Sequence, residues 1–543
     1  MPSISDDLPL TIRYVLLGKV VTMDANLSVV NKGAVYVNRD TIEAVQPAAS
    51  PPPAGFEDCL KINTKGTIYP GLIELHNHLS YNILPAWKVP KKYGNREQWR
   101  GVRDYQKFIS GPLRMLAKER KGYLAALVRY VEVKCLLAGV TTSQGITLAS
   151  NAGVIKYYRG IVRNVEQPDD PALPAANTLT SDVNDAEDFL KKLQDDSFHH
   201  CCRLLHLSEG KDQFARKQFL NLRLANGTWA INNALAGIHS AGLFAEDFPI
   251  LKANGGAIIW SPLSNLLLYG ETALIQAAKE NDILIGLGSD WSPSGSKNLL
   301  GELKVAKIFS DANGKIFSDE ELIKMVTINA AHILNWGALL GSIEPGKRAD
   351  LIVSHGSQGS GYQRLLYSSE ADITLVVING VPRYGTAMLM EPFGIETERL
   401  KIGQKEEERV LYLRQTDGTA FVGTLTLREA QNRLRTGLRN LPNPPNFVEP
   451  PLAILEERTP PEEFTLVLDN DGEIGQSLRP LSPMLTPPPF ATEALEDILV
   501  PMELDVLTVT DDPAEYFNML TNQINLPDYV KNNLPKFYPR LIV

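Results

Sequence analysis

Eight short apolar runs, each closed by polar residues, divide the middle of this 543-residue chain. They are LIELHNH from Leu72, GVTTSQG from Gly139, RGIVRNVEQ from Arg159, ANTLT from Ala176, CRLLHLSEG from Cys202, ALAGIHSAG from Ala234, GAIIWSPLSN from Gly256 and ILIGLGSD from Ile283. The last four lie roughly 20–35 residues apart, the spacing of strand, loop and helix in parallel βα units. Helical periodicity fills the gaps, as in PLRMLAKERKGYLAALVRYVEVKCLLAG, which stops at Gly139, and from Asp185 to Asp195. Eight such units over about 270 residues predict an α/β fold, a closed (β/α)8 TIM-like barrel over 70–344 with its chemistry at the C-terminal ends of the strands.

The flanks have a different texture. YVLLGKVVTMD, GAVYVNRDTIEAV and CLKINTKGTIYP, before residue 70, are rich in Val, Ile and Thr and broken by turn residues. GSIEPGKRADLIVSHG and ITLVVINGVPRYG, after the barrel pattern, read the same way. Residues 1–69 and 345–390 are therefore expected to form a small composite β-sandwich. A C-terminal extension, 391–543, holds a strand-then-helix pattern at Arg409–Leu438. Its proline-heavy stretch at 441–489 excludes regular helix and central strand, and a helical pattern follows from Asp511. The extension is expected to wrap the barrel or join subunits.

Composition excludes several functions. The net charge of −9 argues against a general nucleic-acid binder and offers no basic stripe for a membrane surface. There is no uncharged apolar run of about 18 residues, and the first residues lack the pattern of a secretory signal. Four cysteines in so long a chain fit a reducing cytoplasm rather than a disulfide framework. The HHCC tetrad at 199–202 cannot converge on one ion, because strand neighbours point to opposite faces, and is read as structural.

The polar strand ends carry the chemistry. His76 and His78 share one face of a strand at i and i+2. His206 with Glu209 ends the fifth run, His239 the sixth and Asp290 the eighth, so four of eight histidines lie at such ends. Any one alone reads as a packed core residue or a solvated loop residue; together they read as a metal site. Imidazoles with a carboxylate suit Zn²⁺ or Fe²⁺, and such an ion lowers the pKa of a bound water towards neutrality.

In chain order PGLIELHNH, HLSEG, GIHSAGL, SPLSNLLLYG, GLGSDWSPSGS and GSIEPGKRADLIV resemble the amidohydrolase superfamily. The similar branch is that of mononuclear deaminases and chlorohydrolases acting on cytosine, guanine, S-adenosylhomocysteine and triazines. The likeness covers Leu10 to Tyr384. It implies one divalent ion, Zn²⁺ or alternatively Fe²⁺, held by His76, His78, His206 and Asp290. It implies catalytic roles for Glu209, which protonates a ring nitrogen, for Asp290, which takes the proton of water, and for His239, which holds the water in line or polarises the carbon's substituent. Many superfamily members bridge two metals with a carboxylated lysine after strand four; ANTLTSDVND has no lysine, which favours a single ion.

For the substrate, Asn265 matches a position that shapes the pocket in this branch. Tyr81, Trp87 and Trp291, with Trp260 and Tyr269, are candidates to stack on a flat ring. The chain departs from the pattern where HLSEG ends in glycine rather than a threonine-like residue, where Trp291 follows the ligand aspartate, and in a basic insertion at Lys88–Arg103. The insertion is read as a solvated face, the alternative being contact with a substrate carboxylate or phosphate. The expected activity is deamination of a small nitrogen heterocycle. The alternatives are opening of a cyclic amide or imide, hydrolysis of another C–N or C–Cl bond, or a retired scaffold of the same fold. A homo-oligomer, a dimer, is the expected assembly.

Overall fold

The structure, a computed structural model, describes residues 13–150, 153–155, 160–168, 170–180, 182–194, 202–356, 358–415, 422–448, 465–468 and 494–538. The reading of the N-terminus, three residues of the HHCC tetrad and most of the proline-rich stretch fall outside the described residues.

The two flanks meet in one nine-stranded sheet. Leu60–Pro70, the strand that leads into His76, lies at its centre. It pairs in parallel with Arg13–Val21 on one side and antiparallel with Leu351–His355 on the other, with Ile68 opposite Val353. Val29–Asn38 and Thr41–Pro47 extend one edge, while Ile373–Ile378, Val381–Gly385, Glu407–Leu411 and Glu398–Ile402 extend the other. The two outermost strands on that second side thus come from the chain after residue 390. Alternation places Leu16, Val35, Ile62, Ile68, Leu351, Val353 and Leu375 in one apolar layer and Val15, Ala34, Tyr36 and Phe56 in another.

The eight apolar runs form eight strands in two parallel sheets. Leu72–Ile73, Val140–Ser143 and Arg163–Asn164 make one. Asn177–Leu179, Arg203–Leu207, Leu235–His239, Ala257–Trp260 and Ile285–Leu287 make the other, in sequence order. Past the last strand, Asp290 forms a parallel bridge with Asn77, donating its N–H to His76 O at 3.0 Å. Polar caps start the intervening helices: Asp185 for Ala186–Leu193, Asp212 for Gln213–Leu220 and Asn298 for Leu299–Ala312.

The helix Leu124–Leu137 is buried along its whole length. Such a helix needs cover on every side, and the extension supplies part of it through Leu427–Arg439, which packs on it. Arg129 on this helix donates to Leu425 O and Gly423 O at 2.9 and 3.0 Å. Further helices of the extension, Pro513–Thr521 and Asp528–Asn533, follow, and the second packs on Leu299–Ala312. Among the described residues no helix is long and apolar enough to cross a membrane.

Candidate metal centre and active site

The polar strand ends converge. Donor atoms of His76, His78 and His206 lie within 4.8 Å of one another, as do those of His76, His239 and Asp290, and those of His206, Glu209 and His239. His206 Nε2 faces His78 Nε2 at 3.3 Å. Asp290 Oδ1 is 3.2 Å from His76 Nε2 and 3.6 Å from His78 Nε2.

Hydrogen bonds behind the rings set their tautomers. His76 Nδ1 lies 3.1 Å from Gln144 Oε1, and His206 Nδ1 lies 3.0 Å from Leu179 O. Both acceptors require N–H at Nδ1, so both Nε2 atoms present lone pairs to the cluster. Gln144 is itself oriented, its Nε2 donating to Thr178 Oγ1 and Thr178 donating to Glu166 Oε1, at 2.8 and 2.6 Å.

His239 is wired the other way. Trp260 Nε1 can only donate, and it gives its proton to Thr272 Oγ1 at 2.7 Å. Thr272 then donates to Asn265 Oδ1 at 3.1 Å, which turns Asn265 Nδ2 towards His239 Nδ1 at 3.1 Å. His239 Nδ1 therefore accepts, and the ring's proton sits on Nε2, 3.8 Å from Glu209 Oε2. A ring so protonated is a donor facing the cluster, distinct from the two whose lone pairs face it.

Charge states agree. His206 is held well below the usual imidazole range by burial and by the neighbouring His76, His78 and His239. Burial also lowers His239, against the pull of Glu209 and Asp290. For Asp290, burial works against ionisation, but the surrounding imidazoles of His76, His239 and His78 outweigh it and hold the carboxyl well below its ordinary value. Neutral imidazoles beside an ionised carboxylate are the donor set of a divalent cation. Among the described residues His76 Nε2 is also buried without a hydrogen-bond partner, a cost that a coordinated ion removes. The residues fit a divalent metal.

The local backbone is unusual where this chemistry sits. His239 and Asp290 adopt φ of 64° and 65°, left-handed conformations that cost non-glycine residues about 1–3 kcal/mol. Gly288 lets the eighth strand end approach the first, since a Cβ there would lie 2.4 Å from His76 Cβ.

Glu209 accepts a 2.8 Å hydrogen bond from the Tyr269 hydroxyl, which in turn receives Trp99 Nε1–H at 2.9 Å. The next residue, Gly210, has φ of 140° and touches the backbone of Gly94 and Asn95. Arg96 N–H donates to Glu209 O and Lys211 N–H to Gly94 O. The glycine that ends HLSEG is thus what lets the basic insertion dock on the Glu209 turn.

That docking builds the cavity over the cluster, lined by His78, Arg96, Trp99, Arg100, Tyr105, Thr180, His206, Glu209, His239, Asp290 and Trp291. Trp291 packs 5.6 Å from His78 and 5.8 Å from Trp99. Tyr81, Trp87 and Asn265 are not in this lining. Tyr81 stands behind Trp291 at 5.0 Å, Trp87 stacks on Tyr93, and Asn265 orients His239. Trp260 is core, against Phe309 and Phe317. Arg96 and Arg100, read from sequence as a solvated face, line the cavity; Arg96 is 4% exposed and pairs with Asp182 at 2.6 Å. Gln144, Trp99 and Tyr105 carried no sequence signal beyond their place after a strand or within the insertion.

The amidohydrolase family model matches residues 219–382. Within the wider chain, 119 residues are 36% identical to a 5'-deoxyadenosine deaminase of Methanobrevibacter smithii, covering 21% of this chain and 27% of that protein. A 5-methylthioadenosine/S-adenosylhomocysteine deaminase of Clostridium tetani is 24% identical over 438 residues, 72% of this chain and 95% of its own length. In three dimensions the chain is similar to a zinc-bound adenosine deaminase from Xanthomonas campestris, with a TM-score of 0.54 at 18% identity, over 78% of this chain and 99% of that one. This likeness in structure is one of fold, a TIM-barrel arrangement of α/β content.

Proposed function

We propose that the protein is a metal-dependent hydrolase that adds water to an sp² carbon of a small nitrogen heterocycle and releases ammonia. The observation that carries the reading is the opposite wiring of the histidines: lone pairs of His76 and His206 face the cluster, while a proton of His239 faces Glu209. His76, His78, His206 and Asp290 would hold one divalent ion, with zinc the best match to three imidazoles and a carboxylate. When bound, that ion supplies a water whose pKa lies near neutrality.

The side chains supply the rest. Glu209, fixed by Tyr269, delivers a proton to the ring nitrogen beside the attacked carbon. Asp290 takes a proton from the water and passes it to the amino group, which leaves as ammonia. His239 Nε2–H holds the incoming oxygen or the carbon's substituent. Trp291, Trp99 and Tyr105 offer faces for a flat ring. The named activities of the two deaminase relatives support this choice over ring opening or dechlorination.

The same reading takes the eight strands as one closed barrel over 70–344, with the flanking sheet as a separate layer and the extension attached to both. It takes the protein as cytoplasmic and as a homodimer. Purified protein would be assayed for metal content and for ammonia release from aminated purines, pyrimidines, triazines and pterins. A stoichiometric ion and ammonia from at least one class are expected. Products that keep their nitrogen would favour ring opening, and protein that binds no divalent ion would overturn the reading.

A further inference from the structure

The extension places one carboxylate, Asp505, in the interior of the molecule, 7% exposed. Its Oδ2 lies 2.6 Å from Lys134 Nζ and its Oδ1 lies 2.5 Å from Lys297 Nζ. Both lysines are buried as well. The backbone is fastened too: Asp505 N–H donates to Ile83 O at 3.0 Å, and the Tyr130 hydroxyl donates to Asp505 O. Two ammonium groups brought this close without an anion between them would repel each other in a poorly solvated space.

Lys134 uses its other donors on the turns that follow two candidate metal ligands. It donates to Asn82 O at 2.7 Å, in the turn after His78, and to Ser292 Oγ at 3.3 Å, two residues past Asp290. Asn82 ties those turns to each other. Its Oδ1 accepts Ser292 N–H at 2.8 Å, and its Nδ2 donates at 3.0 Å to Oδ1 of Asn77, the residue between His76 and His78. Asn77 Nδ2 continues to Ser289 Oγ at 3.1 Å, beside Asp290. A continuous path of hydrogen bonds therefore runs from the extension to both ends of the ligand set. Burial lowers Lys134 to about 8 even with Asp505 beside it, so its charge depends on that partner.

We propose that Asp505 is a positioning residue of the metal centre: through Lys134 it sets the turns that hold His78 and Asp290, so that the extension completes the metal site. The inference rests on the proposed function and gives the extension a role in it. Groups hydrogen-bonded directly to a ligand change metal affinity by about 10–100-fold when removed; Asp505 acts further back, through Lys134 and the two turns, so the lower end of that range is expected.

The test compares the wild-type chain with Asp505→Asn, Lys134→Met and Arg439→Ala. The last breaks the exposed Arg439–Glu503 pair of the extension, outside the path. Affinity for Zn²⁺ is read by chelator competition, the ligand field by the visible absorption of Co²⁺ loaded in its place, and folding by far-UV circular dichroism and Tm. Asp505→Asn and Lys134→Met are expected to fold, to bind Zn²⁺ at least tenfold more weakly and to shift the Co²⁺ bands. Arg439→Ala is expected to match wild type. A folded Asp505→Asn or Lys134→Met with wild-type affinity and spectrum overturns the proposal, and so does failure of both to fold, which would make the pair structural only. Absence of metal from the wild-type protein would instead overturn the proposed function, and this inference with it.

Discussion

The hydroxyl of Tyr269 donates a 2.8 Å hydrogen bond to the side chain of Glu209 and is itself fed by the indole N–H of Trp99. Burial, followed by the charge of Glu209, holds the phenol well above its ordinary pKa, so it stays a donor. Tyr269→Phe leaves the carboxylate without this bond and the Trp99 N–H without an acceptor. A hydrogen bond is worth about 0.5–1.5 kcal/mol net, so kcat should fall roughly 2- to 10-fold. The orphaned indole N–H should cost about 1–3 kcal/mol of stability. Steady-state kinetics with a Tm measurement separate the two effects; an unchanged kcat would remove Tyr269 from the account of Glu209.

Glu209→Gln should keep the metal and lose turnover. Its side chain lies beside the cluster but is proposed to move a proton, a contribution of about 10²–10⁴-fold. Elemental analysis and ammonia release on the same preparation check this. Parallel loss of metal and activity would make Glu209 a ligand.

Asn265→Asp should reverse the ring of His239. A carboxylate at that position accepts where the amide donates, so the imidazole proton moves to Nδ1 and Nε2 becomes a lone pair. Activity should fall about 100-fold or more if that proton acts in the reaction, while metal content is retained. Wild-type turnover in this variant would show that the tautomer of His239 does not matter.

Stability should carry a signature of Glu166. The carboxyl accepts from Gly145 N–H and the Thr178 hydroxyl at 2.8 and 2.6 Å, and burial pushes it up to about 7 from an ordinary 4.5. A raised folded-state pKa means that the folded protein binds this proton more tightly than the unfolded chain. The contribution is full below the unfolded value and is lost as pH rises through about 7. Across that window wild type should lose up to roughly 3 kcal/mol relative to Glu166→Gln. The variant pays a constant penalty for one mismatched hydrogen bond. Unfolding free energies at pH 5 and pH 8 should therefore show the gap narrowing or reversing with pH; parallel curves would contradict it.

The convergence of these side chains is legible in the sequence because the fold repeats one rule: an apolar run ends, and the next polar side chains reach the rim. His76, His78, His206, His239 and Asp290 all obey it. Even ANTLT, the weakest pattern, is a strand at Asn177–Leu179. What periodicity does not encode is the path of a loop. Trp87 and Tyr81 had the right chemistry but pack behind the cavity, while Arg96 and Arg100 enter it because Gly210 lets two backbones touch. Contacts across great sequence distance are equally silent. Lys134 lies in the helical pattern that stops at Gly139, and its partner Asp505 stands 371 residues away. Asn265 was singled out as a pocket residue; its hydrogen bond to His239 makes it the part that selects a tautomer.

The central place of Leu60–Pro70 in the nine-stranded sheet has a consequence for biosynthesis. Its partner on one side, Arg13–Val21, precedes it, but Leu351–His355 is made only after every barrel strand has emerged. At ribosomal speeds the strand feeding His76 would present an open edge for on the order of tens of seconds. An unpaired edge of that kind invites association with other chains. A nascent polypeptide truncated before residue 351 should be a substrate for chaperones rather than a half-built enzyme.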